Sequence, residues 1–80
     1  MAYATDAATP LSIWGRGDEG TIEGISGTNQ LTARLREVGA MPGVPVRVLR
    51  VGRTVVIQVG SSRFCLRKTD AACIKGMKAA

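Results

Sequence analysis

Two thiols, Cys65 and Cys73, are the most reactive side chains in this sequence of 80 residues. A catalytic thiol needs a neighbouring base or cation to hold it as thiolate, and histidine, the usual base, is absent from the chain. The same absence removes the commonest transition-metal ligand and the usual general base near neutral pH. The two cysteines form neither a CxxC pair nor any paired zinc spacing. They can be joined as a disulfide or stand as two small thiols. The second reading carries more weight, because free cysteine packs as a small hydrophobe. The six acidic residues are scattered, with only Asp18 and Glu19 adjacent, so no carboxylate cluster suggests a metal site. Gly15-Arg16-Gly17 is not a nucleotide-binding loop, and there is no Ser-His or Cys-His pair. The expectation is a protein that is not an enzyme, with no cofactor, no metal site and no small-molecule substrate.

The chemistry that remains is charge. The net charge is +5 and unevenly placed. Residues 1–33 carry a net −3, whereas residues 34–68 carry +7 from Arg34, Arg36, Arg47, Arg50, Arg53, Arg63, Arg67 and Lys68 against Glu37. Three readings of this basic stretch stand open: a solvated outer face, a surface that docks on an acidic protein, or phosphate contact with nucleic acid. Phe64 is the only aromatic within it, which leaves base stacking almost nothing to use, and no helix-turn-helix is present. Nucleic acid is therefore the weaker alternative.

The elements that must carry these charges are short. The composition is 45% hydrophobic but only 4% aromatic, so the core has to be built from Val, Ile, Leu and Met, with Trp14 as the one large ring to cover an end of it. Residues 21–25 predict a first strand, in which Gly24 marks a bulge or bend. Thr28 or Asn29 caps a helix over about residues 30–38. Leu31, Leu35 and Val38 follow at i, i+4 and i+7 on one face, either core or interface, and Glu37 can pair with Arg34. Gly39 ends the helix as a left-handed C′ residue. Met41-Pro42-Gly43 is a type II turn. Val44, Val46 and Val48 then alternate with Pro45, Arg47 and Leu49 in a half-buried strand, and Pro45 suggests an edge there through which weak self-association stays open. A third strand puts Val55, Ile57 and Val59 on one face, and a fourth opposes Phe64 and Leu66 to Arg63, Cys65 and Arg67. Thr69 caps a single helical turn over residues 70–73, and a short strand begins near Ile74.

Short strands with tight turns point to a mainly β fold, a small closed barrel of four or five strands with one inserted helix. The organisation expected is a disordered tail over residues 1–8, one domain over 9–75, and a frayed tail over 76–80. Residues 1–10 lack the basic and apolar regions of a signal peptide. No run approaches the roughly 18 apolar residues of a membrane span. A soluble, cytoplasmic protein is expected.

Certain segments carry a resemblance. Thr9-Pro10-Leu11, Gly20-Thr21-Ile22-Glu23-Gly24-Ile25, Leu35-Arg36-Glu37-Val38-Gly39-Ala40-Met41-Pro42-Gly43, Val46-Arg47-Val48-Leu49-Arg50 and Arg63-Phe64-Cys65-Leu66-Arg67 followed by Ala71-Ala72 together resemble the FeoA family, small accessory proteins of bacterial ferrous iron uptake. The helix end and its G-hydrophobic-x-P-G turn are the most specific part. The chain departs from the family at Ala40, where a larger apolar residue is usual, and in the short hairpin after Arg50. The resemblance implies an SH3-like five-stranded barrel with a helix after the first strand. It also implies a partner, the membrane iron transporter FeoB with its cytosolic GTPase-bearing region. The contact residues then expected are Leu31, Leu35 and Met41 as apolar anchors, Pro42 in the turn, and Arg34, Arg36, Arg47 and Arg50 for steering and orientation. An SH3-like domain of a larger regulator is a further reading.

Overall fold

The computed structural model describes residues 8–79. Of the tail expected over residues 1–8, residues 1–7 lie outside the described residues. The elements are β1 (Thr9–Pro10), a 3-10 turn (Leu11–Ile13), β2 (Glu19–Ile25), α1 (Asn29–Glu37), β3 (Pro45–Val51), β4 (Thr54–Val59), β5 (Ser62–Arg67), α2 (Lys68–Ala71) and β6 (Ile74–Lys78). Six strands form one antiparallel sheet in the order β1-β6-β2-β3-β4-β5. The sixth, absent from the five-strand expectation, is the two-residue β1, where Thr9 and Pro10 pair with Gly76 and Lys75. Among the described residues no backbone pairing joins β1 to β5. That opening is covered by α2, which packs on the 3-10 turn and on β5.

The strands form where the alternation says they should. Val46, Val48, Val55, Ile57, Val59 and Leu66 point inward and are buried, because a period of two places them on one face of a pleated sheet. Ile22, Ile74, Leu31, Leu35, Leu11 and Trp14 complete the core, which holds no buried polar or charged residue among those described. The Trp14 ring NH donates to the Thr9 hydroxyl at 2.8 Å, so the one buried ring leaves no polar atom unpaired. Pairing of β2 with β6 shifts register between Ile22 and Gly24, the expected bulge. A second shift, between Val48 and Arg50, falls in β3.

The helix is set by its ends. The Thr28 hydroxyl accepts the Leu31 amide at 3.1 Å, so Thr28 rather than Asn29 is the cap. At the other end Gly39 takes φ +86°, its amide donates to the Arg36 carbonyl, and the Ala40 amide donates to the Leu35 carbonyl at 2.8 Å. These two bonds are a Schellman motif, and buried Ala40 packs in the same core as Leu35, as such a motif favours. The Val44 amide then closes the expected turn on the Met41 carbonyl, with Gly43 at φ +92°. Gly43 in turn donates to the Ile22 carbonyl at 2.7 Å, tying the turn to β2.

Several expectations are corrected. Residues 76–78 are not a frayed tail: β6 runs through Lys78, and the Ala79 amide donates to the Glu19 carbonyl at 2.8 Å. Ala80 lies outside the described residues. β3 is not an edge at Val44-Pro45, because Pro45 pairs with Thr21 on β2 and the next residue, Val46, with Val59 on β4. Thr69 does not cap α2, whose N-cap position is Arg67 with no side-chain bond. The Thr69 carbonyl instead accepts the Cys73 thiol at 3.5 Å. Cys65 and Cys73 are both free. Glu37 and Arg34 do not pair: the one ion pair among the described residues joins Lys78 to Asp18 at 3.1 Å.

That pair anchors the end of β6. The Asp18 carboxylate also accepts the Gly15 amide at 2.8 Å, and the Gly15 amide, then Lys78, hold its pKa below the ordinary carboxylate value. A carboxylate lowered on folding adds stability above its unfolded pKa of about 3.9, and that contribution is lost as pH falls through its lower folded value. The substitution Asp18→Asn is therefore expected to lower stability at neutral pH and to flatten the loss of stability on acidification below about pH 4, read from denaturant melts across pH. The approach of β6 to β2 is close enough to demand glycine at Gly20 and leaves little room at Gly76. A Cβ at Gly20 would overlap the Met77 backbone carbonyl, and one at Gly76 would lie 3.0 Å from the Trp14 ring. Gly20→Ala is expected to cost about 1–3 kcal/mol, as overpacking does, with Gly52→Ala, which has open space, as the near-neutral control.

Candidate partner-docking surface

The structure splits the expected contact residues into two groups and removes two from the surface. Leu31 and Leu35 are buried, at 6% and 2% exposure, because the Thr28 cap and the Schellman closure turn their face of α1 onto β5. They are core and cannot act as exposed anchors. Val38, expected on that same face, is 37% exposed. It is the C-cap residue, at the end of that face, where it lines the same groove as Leu31 and Leu35 but is left partly uncovered. The signal was present in Gly39, since a C′ glycine fixes the preceding residue as the cap.

Around the end of α1 the remaining residues do come together. A groove of about 170 Å³ between α1 and β5 is lined by Val38, Phe64 and Leu66 over a floor of Leu31 and Leu35, with Arg34 and Glu37 at its rim. On the other flank a groove of about 240 Å³ is lined by Ile25, Ala40, Met41, Pro42 and Arg36. Met41 is 43% exposed and Pro42 is exposed. Each flank thus offers apolar surface with one arginine beside it. The Schellman bonds and the Gly43–Ile22 bond hold the connecting backbone, so the patch is a rigid one.

Arg47 and Arg50 are elsewhere. They stand exposed on the outer face of β3 and line neither groove. Arg47 lies opposite Gln58, which lies opposite Arg63, and Arg50 lies opposite Val56, which lies opposite Cys65. Arg63 therefore shares a face with them, a neighbour that reading along the chain does not reveal. Among the described residues no three His, Cys, Asp or Glu side chains gather as a metal site, and no helix is long and apolar enough to cross a membrane.

A family model described as the FeoA domain matches residues 9–77. The chain belongs to the FeoA family. Among solved structures, an iron uptake regulatory protein (FeoA) is 31% identical with a TM-score of 0.81, over 90% of this chain and 99% of that one. FeoA of Stenotrophomonas maltophilia, solved with zinc, is 26% identical with a TM-score of 0.74, over 90% and 100% of the two chains. That protein is described as a prokaryotic SH3 domain protein and as a suggested ferrous iron transport activating factor. A manganese-dependent transcriptional repressor shares the fold, with a TM-score of 0.85 at 22% identity over 95% of this chain and 44% of its own. No curated protein sequence matches the chain. This FeoA protein is thus a mainly β, SH3-like member of a family of small accessory proteins of ferrous iron transport.

The division between core and patch predicts a contrast within one helix. Leu35→Ala should cost about 2–5 kcal/mol in a denaturant melt, whereas Val38→Ser should stay within about 0.5 kcal/mol.

Proposed function

We propose that this protein is a non-enzymatic accessory of bacterial ferrous iron uptake that docks on the cytosolic, GTPase-bearing region of the transporter FeoB. The observation that carries this reading is the apolar pair Val38 and Met41, exposed on a hydrogen-bonded helix end between Arg34 and Arg36. A rigid backbone lowers the ordering cost of association. Methionine adapts to irregular partner surfaces, and exposed apolar side chains next to arginine are the composition that interface centres favour. Family membership supports a transport role, as does the activating role suggested for the Stenotrophomonas maltophilia relative. Arg34 and Arg36 add orientation and association rate more than affinity.

Retention of the cytosolic region of FeoB on the immobilised protein tests this. Retention is expected at low and moderate salt, and V38D/M41D should weaken it roughly tenfold or more, as loss of an anchor does. R34E/R36E should slow association and flatten or invert its salt dependence, because the attraction that salt screens is lost. No retention of the transporter region by the unsubstituted protein in either condition overturns the reading.

A further inference from the structure

We propose that the outer face of β3, β4 and β5 is an electrostatic docking surface for an anionic lipid bilayer. The face is separate from the grooves that carry Val38 and Met41, and the proposal does not rest on the transporter reading. These three strands carry Arg47, Arg50, Arg63 and Arg67 and no acidic residue. All four arginines are exposed, and none forms an ion pair among the described residues. Arg67, at the end of β5, also lines a pocket with Arg34 and Asp70, so Arg47, Arg50 and Arg63 are the centre of the face.

Register sets their spacing. Arg47, Gln58 and Arg63 form one row across the strands, and the row meets an acid, Glu19, only where it reaches β2. Arg50, Val56 and Cys65 form the next row, and Thr54 and Arg67 the one beyond. With strands about 4.8 Å apart, Arg47 and Arg63 stand roughly 10 Å apart on a sheet face. A protein or nucleic-acid partner would have to place its own charges in that array. Lipid headgroups diffuse laterally and meet it without a matching register.

The hairpin between β3 and β4 supplies the second feature. Its tip carries Val51, 41% exposed, followed by Gly52 and the exposed Arg53. Val51 and Leu49 line a shallow depression with Arg16 and Arg50. Apolar side chains ringed by arginine suit the boundary between headgroups and acyl chains. The phosphates of a duplex offer nothing to Val51. Single strands would need stacking rings, but Trp14 is buried and Phe64 lies on the opposite side of its strand from Arg63 and Cys65.

The test is co-sedimentation of the full chain with vesicles of equimolar phosphatidylglycerol and phosphatidylcholine, and with phosphatidylcholine alone. The expected result is partition onto the anionic vesicles only, lost at roughly 0.5 M salt where screening is short-ranged. Replacing Arg47, Arg50, Arg63 and Arg67 by glutamine should lower the partition coefficient roughly fivefold per arginine. An unchanged melt is expected for these exposed positions and shows that the variants remain folded. R36Q, on the far flank of α1 beside Met41, should lower partition far less. Equal binding to both vesicle types, no binding to either, or a loss from R36Q equal to that from any one of the four would each overturn the proposal. So would tighter retention on duplex DNA or RNA than on the anionic vesicles at the same salt.

Discussion

The bond from the Ala40 amide to the Leu35 carbonyl governs more of this molecule than any other single contact. It closes α1 one turn after Leu35, which places Leu35 and Ala40 in the core and leaves the C-cap residue Val38 partly exposed at the end of the same face. It needs Gly39 in the left-handed region, where a residue with a Cβ is strained. The next turn depends on it in sequence. Met41-Pro42-Gly43 leaves the helix at a fixed angle, Gly43 bonds to Ile22, and β3 starts beside β2 in the register that aligns Arg47 with Glu19. Ala40 is wholly buried beneath the turn, beside the groove that Met41 and Pro42 line.

A thin core imposes the second constraint. A domain of this size hides only about 60% of the surface of its unfolded chain, so each inward position must be apolar and each charge must stay outside. Strand alternation does this in β3 to β5 and thereby collects the arginines on one outer face. Among the described residues the acids fall elsewhere, on β2 and just before it, on α1 and on α2. Charge segregation is thus a consequence of folding a strongly alternating basic stretch into adjacent strands, and it yields two surfaces of different character. The helix end is apolar with flanking cations. The sheet face is cationic with an apolar hairpin tip.

Fold and site were legible to different degrees. Local signals held wherever a residue's conformation is decided by its neighbours in sequence. The Thr28 cap, the Gly39 terminus, the Met41-Pro42-Gly43 turn and the bulge near Gly24 all stand where glycine, proline and hydroxyl chemistry put them. The misses share a cause. β1 has two residues and no period to read, and it exists because Thr9 and Pro10 find β6. The order in residues 76–78 comes from β2 and from the Lys78–Asp18 pair, partners far away in the chain. Pro45 looked like an edge because proline lacks a donor, yet β2 and β4 flank β3 on its two sides.

For the surface, the sequence alone determined that the chain is basic through its middle, that its strands alternate, and that its helix ends at Gly39. Those properties are set by residue type and by spacings within a few positions. Only the tertiary structure decided that Leu31 and Leu35 are core, that Val38 and Met41 stay exposed, and that Arg47 and Arg50 share a face with Arg63 and not with Arg34 and Arg36. The reason is that burial and shared faces depend on strand register and on which element covers which. Both are fixed by contacts between segments that the chain brings together only on folding.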